Sequence, residues 1–273
     1  MRILILSCNT GEGHNAAGKA IREAAIRCGH TADMLDIFLL SGKKTSHAVS
    51  GAYVELVKHM PHVFGMLYKA GMAISNSKHK SPVYYANALM AKKLAAYLKQ
   101  HDYDVIVTPH LYPAETMTYM KKKGMLKIPA VAIGTDYTCI PFWEETNLDA
   151  YFLPHEDCVT EYVHRGIPAG KLYPYGIPVG EAFSPSGDRI LAKVRARDSL
   201  NLPQDIPICL VMSGSMGFGK LAIFAAELSL RLKSGEHIVI ICGSNKRIYN
   251  VLQKQFQNNP RVHILGYTNR VAD

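Results

Sequence analysis

Cys8-Asn9-Thr10-Gly11-Glu12-Gly13-His14-Asn15-Ala16-Ala17-Gly18-Lys19-Ala20-Ile21 follows directly behind the apolar run Arg2-Ile3-Leu4-Ile5-Leu6-Ser7. The run reads as a buried strand, and the stretch behind it as a glycine-rich turn that opens an amphipathic helix. Gly11 and Gly13 lack a Cβ, so the backbone there can come close to a ligand. The free N–H groups of a first helical turn favour a phosphate or another anion. Ala17, Ile21, Ala24 and Cys28 recur at helical spacing and predict a stripe that faces inward. His14 stands where the helix begins, a titratable ring able to take a proton during chemistry.

Outward from this turn the chain keeps alternating strand and helix. Strands are predicted at Arg2–Leu6, Thr31–Leu35, Val105–Thr108, Ala130–Ile133, Ala150–Leu153 and Leu172–Tyr175. Helices are predicted at His14–Cys28, Ala48–His59, Tyr84–Gln100, Tyr112–Lys122 and Asp157–His164. Strands separated by helices imply a mainly parallel sheet covered on both faces, with the ligand crevice at the carboxyl ends of its strands. Gly11, His14, His110 and Asp136 each follow a strand, so they are expected to meet on one rim. The stretch Pro61–Pro82 breaks the rhythm. It is rich in methionine and aromatics and ends on Lys78-His79-Lys80, which suits either a core-packed helix or an amphipathic flap resting on lipid.

Gly176-Ile177-Pro178-Val179-Gly180 and Pro185-Ser186-Gly187 predict a linker, dividing residues 1–180 from 181–273. Beyond it a second α/β unit is predicted: helix Asp188–Leu200, strand Ile206–Met212, helix Lys220–Lys233, strand His237–Cys242, helix Ile248–Gln257 and strand Val262–Leu265. A doubly wound domain usually has about five or six strands, so this second domain is expected to be incomplete.

The composition narrows the classes. Of 273 residues, 48% are hydrophobic and 19% charged, which is ordinary for a globular chain. No window approaches the ~20 apolar residues of a membrane span. Met1-Arg2 runs straight into the first strand, without the pattern of a signal peptide. Cys8, Cys28, Cys139, Cys158, Cys209 and Cys242 are scattered without CxxC or zinc-site spacing, so reduced cytosolic thiols are expected, most of them small core residues, and no metal site. The net charge of +9 suits an anionic partner: a phosphorylated metabolite or an anionic membrane surface. Zinc-finger and RNA-binding aromatic patterns are missing, so no nucleic-acid partner is expected. Nothing in the sequence sets an oligomeric state.

A second glycine turn, Ser213-Gly214-Ser215-Met216-Gly217-Phe218-Gly219-Lys220, follows the strand Ile206–Met212. Its spacing imitates a P-loop, but Leu221 stands where the magnesium-binding Ser or Thr belongs, which argues against a nucleotide triphosphatase. A diphosphate cradle of backbone N–H groups needs no such hydroxyl. A tight turn without a ligand accounts for the glycines as well. Cys242-Gly243-Ser244-Asn245 is a third small-residue turn and is expected to lie beside the second.

Together these segments resemble the GT-B glycosyltransferases of the monogalactosyldiacylglycerol synthase and processive diacylglycerol glucosyltransferase group, which are related to MurG. Asn9-Thr10-Gly11-Glu12-Gly13-His14 is similar to the family's Gly-x-Gly-His turn, and Thr135-Asp136 followed by Trp143 to its Thr-Asp…Trp segment. Gly176-Ile177-Pro178, with Phe183 behind it, resembles the interdomain Gly-Ile-Pro. Gly214-Ser215 through Gly217 is similar to the donor diphosphate turn. Cys242–Asn245 and Gly266-Tyr267-Thr268 resemble segments lining the nucleotide pocket. Two departures stand out: Ile140 precedes Pro141 where relatives often carry histidine, and the family's Lys-Pro-Gly-Gly loop and ribose-binding glutamate are absent.

The resemblance implies an α/β fold of GT-B type, two Rossmann-like domains with mainly parallel sheets. The first would take diacylglycerol and the second, in part, a UDP-sugar. It implies inverting transfer of galactose or glucose from UDP-glucose or UDP-galactose to the diacylglycerol hydroxyl, with no tightly bound cofactor or metal. The enzyme would sit peripherally on anionic lipids at the cytoplasmic face of the cell membrane. His14 and Asp136 would be catalytic. Gly11, Glu12, Gly13, His110 and Trp143 would lie against the acceptor. Gly214, Ser215, Met216, Gly217, Gly243, Ser244, Asn245 and Tyr267 would lie against the donor. For Asp136 a capping role competes with orientation of the base or acceptor. The rivals are a MurG-like transferase with another lipid acceptor, a UDP-sugar epimerase, and an inactive truncated fragment that binds membrane or nucleotide.

Overall fold

The computed structural model describes residues 1–8, 12–42, 66, 80–183, 187–214, 217 and 220–272. The chain divides into two compact units, Met1–Glu181 and Ala182–Asp273. Two expectations, the helix Ala48–His59 and all of the flap except Met66 and residues 80–82, lie outside the described residues.

Unit 1 is built on a six-stranded parallel sheet. Its strands are β1 (Arg2–Ser7), β2 (Thr31–Asp36), β3 (Val105–Thr108), β4 (Ala130–Ile133), β5 (Ala150–Phe152) and β6 (Leu172–Tyr173). Their order is β2-β1-β3-β4-β5-β6. β1 lies inside the sheet, between β2 and β3, and is apolar on both sides, as a doubly covered parallel strand must be. Ile3 and Ile5 face helix α1 (Glu12–Arg27), while Leu4 and Leu6 join the larger core on the other face. α1 approaches the sheet closely because Gly18 has no side chain. A Cβ there would stand 3.0 Å from Met34 Cε and 3.3 Å from Ile5 Cγ2.

The larger core is capped by α2 (Pro82–Ala88), α3 (Ala91–Leu98) and α4 (Leu111–Lys122). The sequence predicts one helix over Tyr84–Gln100, but the chain makes two. At Leu89 and Met90 the backbone bonds tighten to i→i−3, with Leu89 N–H to Ala86 and Met90 N–H to Asn87. The Asn87 carbonyl also accepts from Thr116 Oγ1 of α4 at 2.9 Å, which pulls it out of the regular helical ladder. α5 (Asp157–His164) matches its predicted span. α1 ends at Arg27, and Cys28 is exposed rather than part of the inward stripe, because the chain turns there toward Gly29 at φ +78°.

Unit 2 holds a second parallel sheet in the order β7-β8-β9, from β7 (Ile208–Met212), β8 (His237–Ile241) and β9 (Val262–Leu265), with helices α6 (Arg189–Ser199), α7 (Leu221–Leu230) and α8 (Lys246–Phe256). β7 starts at Ile208 rather than Ile206 because Pro207 has no N–H to give the ladder. α7 stops before the predicted Lys233, whose N–H goes to the Glu236 carboxylate at 2.9 Å. Val211 is buried beneath α7 with Leu221 and Ala225, while Leu210 (51%) and Met212 (47%) leave the other side of β7 open.

Candidate active site

At the carboxyl ends of β1, β3 and β4 the structure of unit 1 brings three predicted residues together. α1 begins at Glu12, so His14 is its third residue and its half-buried ring lies in the first helical turn. Its Nδ1 lies 2.9 Å from the hydroxyl of Thr135, in the turn after β4. The His110 ring, from the turn after β3, packs on it with centroids 4.5 Å apart and planes inclined by 58°. Asp136, next to Thr135, places its charge close enough to act on the His14 ring.

Local chemistry fixes each turn. Thr108 Oγ1 donates to the His110 carbonyl at 3.0 Å, and its oxygen accepts from His110 N–H at 3.1 Å. His110 is the N-cap of α4, and its Nδ1 accepts from Tyr112 N–H at 3.3 Å. That acceptor role requires a lone pair, so the ring is neutral with its proton on Nε2. Burial holds the His110 proton affinity well below the usual range, and neighbouring His14 lowers it further. Burial likewise lowers the His14 pKa, against the opposing pull of the Asp136 charge and a hydrogen bond to the Pro109 carbonyl. The result is a pair of neutral imidazoles, one half-buried and one buried.

Other predicted acceptor residues lie differently. Glu12 and Gly13 are exposed in the first turn of α1, and a Cβ on Gly13 would meet nothing within 4 Å. Packing against α1 is therefore close at Gly18 and open at Gly13. Gly11 is outside the described residues. Trp143 lies within the core of unit 1. It is 3% exposed, inside the large core, with Tyr151 edge-on at 6.3 Å. Its apolar ring is drawn inward, and what it can give the site is support for the turn after β4. Thr135 is the residue that pattern reading missed as a partner of His14. The Thr-Asp pair behind a strand was its only signal.

In unit 2 the second and third glycine turns interlock, as their positions behind neighbouring strands predict. Gly214 and Gly217 adopt φ of +72° and +61°, and Gly243 +57°. Asn245 caps α8 by accepting from Ile248 N–H at 3.1 Å and donates through Nδ2 to the Gly217 carbonyl at 2.9 Å. One end of its amide thereby caps α8 and the other joins the turns. Ser244 and Tyr267 are exposed, Tyr267 by 67%. Ser215 and Met216 are outside the described residues. Among the described residues no group of three or more His, Cys, Asp and Glu could hold a metal ion, and no helix is long and apolar enough to cross a membrane.

The chain is 26% identical over 287 residues to the probable chloroplastic monogalactosyldiacylglycerol synthase of Nicotiana tabacum, covering 100% of this chain and 52% of that protein. It is 23% identical over 275 residues to the processive diacylglycerol beta-glucosyltransferase of Staphylococcus haemolyticus, covering 100% of this chain and 67% of the relative. The chain thus spans about half to two thirds of the length of these relatives. Among solved structures, a glycosyltransferase from Rickettsia africae superposes with a TM-score of 0.56 at 16% identity, over 99% of this chain and 69% of its own. The fold is α/β of the GT-B type. Residues 14–179, more than half of the chain, match the family described as monogalactosyldiacylglycerol (MGDG) synthase, and the chain belongs to that family.

Proposed function

We propose that this chain is the acceptor domain and part of the donor domain of an inverting glycolipid glycosyltransferase, which moves galactose or glucose from UDP-galactose or UDP-glucose to the hydroxyl of diacylglycerol. The observation that carries the reading is the His14 imidazole. It is kept neutral by burial in the first turn of a helix, at the carboxyl rim of a parallel sheet, with Thr135 on Nδ1 and His110 alongside.

In this mechanism the acceptor oxygen attacks the anomeric carbon as the bond from that carbon to the UDP oxygen breaks. UDP leaves with the bonding pair, and His14 takes the hydroxyl proton. Asp136 stabilises the imidazolium that forms, and His110, neutral with a proton on Nε2, offers a hydrogen bond without a charge. Diphosphate charge growing on the leaving group would be met by backbone N–H groups of the Gly214–Gly217 turn, with Gly243, Ser244 and Tyr267 beside the nucleotide. Asn245 acts there by holding the turn. No tightly bound cofactor is needed for this displacement.

Association with the membrane would be peripheral, on anionic lipids at the cytoplasmic face. Tyr85 of α2 (59%) and Leu89 just past its end (78%) are exposed, and exposed Lys92 and Lys93 follow on α3. Such a pairing of apolar and cationic side chains suits the interface of an anionic bilayer.

The test is transfer of label from radiolabelled UDP-glucose and UDP-galactose to diacylglycerol in mixed micelles, with this chain and with one extended through the remaining donor half. Label in the lipid fraction supports the reading and identifies the sugar. Failure of both chains with either donor overturns the diacylglycerol assignment.

A further inference from the structure

We propose that Thr135 is the positioning residue of the His14 imidazole, its hydroxyl fixing the orientation of the ring through Nδ1 in either protonation state. The proposal deepens the reading of His14 as proton acceptor and rests on it for its catalytic meaning. The physical claim about the ring can be tested by itself.

Thr135 is well placed to act as an anchor. Gly134 N–H donates to the Phe152 carbonyl of β5 at 2.8 Å, tying the turn to the sheet immediately before Thr135. The turn also sits tightly on α5, since a Cβ on Gly134 would stand 3.0 Å from the Tyr162 hydroxyl. A hydroxyl carried on this base is as rigid as the sheet, and the β-branch of threonine restricts its χ1 further. His14, by contrast, sits in the first turn of α1, behind residues rich in glycine. The 2.9 Å contact joins two positions 121 residues apart, and with the His110 ring and the Pro109 carbonyl it leaves the imidazole held from the turns after β3 and β4.

The choice of a hydroxyl matters chemically. A hydroxyl both donates and accepts. It can donate to Nδ1 while that nitrogen has a lone pair, and accept from it once it bears a proton. The ring therefore keeps its partner through a full cycle of proton uptake and release. A carboxylate in the same place would bind the imidazolium preferentially and raise the proton affinity of His14. With Thr135 the orientation is set by an uncharged group, and the proton affinity is left to burial and to Asp136.

The experiment is a titration of the His14 ring nitrogens by ¹⁵N NMR in the full 273-residue chain, in wild type, Thr135→Val and Thr135→Ser. Thr135→Ala substitutes for the valine variant if circular dichroism shows that variant unfolded. Wild type is expected to show an Nδ1 shift displaced by the hydrogen bond to Thr135. Thr135→Val should move the Nδ1 shift as that bond is lost, with a smaller change at Nε2, and Thr135→Ser should restore it. In the active enzyme kcat should fall roughly 10- to 100-fold for Thr135→Val, with KM for the sugar donor unchanged and most of the loss recovered by serine.

Ring shifts in Thr135→Val like those of wild type overturn the proposal, as do equal changes in the valine and serine variants. If the shifts change as expected while His14→Ala retains full turnover, the positioning stands and the reading of His14 as base falls instead.

Discussion

Gly217 and Asn245 are in direct contact. The Asn245 amide donates to the Gly217 carbonyl at 2.9 Å, and a Cβ on Gly217 would stand 2.8 Å from Asn245 Cβ and 2.0 Å from the Cys242 carbonyl oxygen. The turn after β7 and the turn after β8 are therefore one structural object. Gly217 is required twice over, by its φ of +61° and by the absence of room. Gly214, at φ +72°, would set a Cβ in open space and is constrained by its dihedral alone.

That asymmetry gives the first prediction. Gly214→Ala meets only the left-handed backbone penalty, about 1–2 kcal/mol. Gly217→Ala must in addition displace backbone at Cys242, so its cost should exceed that of Gly214→Ala clearly. Gly217→Asp should weaken UDP binding before it disturbs unit 1. Calorimetric donor affinity, set against the fluorescence of Trp143, reads the two units separately, because Trp143 is the chain's single tryptophan and lies in the core of unit 1. Equal melting points for the two alanine variants would contradict the argument.

Asn245→Ala should cost about 1–2 kcal/mol from loss of the α8 cap, and it also frees the Gly217 carbonyl. Asn245→Asp keeps the cap oxygen, which accepts from Ile248 N–H, but cannot donate to Gly217. Donor affinity separates the two roles: aspartate should restore thermal stability and leave UDP binding impaired. Restoration of both would show that the bond to Gly217 contributes nothing to the turn.

His14 yields a pH prediction whose sign is fixed by the surrounding groups. Burial lowers its pKa and the Asp136 charge raises it. As the base it must be neutral, so activity should be lost as pH falls through a value below the usual histidine range. Asp136→Asn removes the group that favours the charged ring. The acid limb of the kcat/KM profile should then move to still lower pH, while turnover at the plateau falls because the imidazolium is less stabilised. His14→Ala should reduce kcat on the order of 100-fold or more, with little change in melting temperature. An acid limb that moves upward in Asp136→Asn would overturn this assignment of charges.

How far the fold was legible depended on the range of the interactions. β1 and α1 were readable because each is specified by its own residues, through apolar runs and helical spacing. The break at Leu89 and Met90 was not, because it depends on a hydroxyl from Thr116, 29 residues away from Asn87. The glycines show the same limit. Sequence singles out Gly11 and Gly13, whereas the closely packed one in α1 is Gly18, whose neighbours Met34 and Ile5 lie on two different strands. At the site, the strand-end positions of His14, His110 and Asp136 predicted one rim, and His14 and His110 meet there. The role of Thr135 had no sequence signal beyond its place beside Asp136, and Trp143 went to the core because its apolar ring is better buried than shared with a surface.

A buried acid pair behind α2 supplies the last prediction. Glu115 and Glu145 are both fully buried. Asn87 Nδ2 donates to Glu115 at 2.5 Å, and Ser81 gives its N–H and its hydroxyl to the two oxygens of Glu145 at 2.5 and 2.9 Å. Lys80 donates to the Glu145 carbonyl at 2.8 Å. Glu115 Oε1 meets no donor among the described residues. Burial and the neighbouring Glu145 carboxyl push Glu115 up to about 8, despite the opposing bond from Asn87 and the Lys80 charge. Glu115 is therefore protonated at neutral pH and can give its proton to Glu145. The unfolded chain releases that proton near the ordinary carboxyl value, so folding binds it more tightly. The stabilisation is complete below the unfolded pKa and is lost as pH rises through about 8. Wild type should lose stability between about pH 5 and about pH 8, measured as the denaturant midpoint of Trp143 fluorescence. Glu115→Gln keeps an oxygen for Asn87 and a donor for Glu145 but cannot ionise, so its midpoint should change much less over that range. Parallel slopes in the two proteins would show that the proton is not held at Glu115.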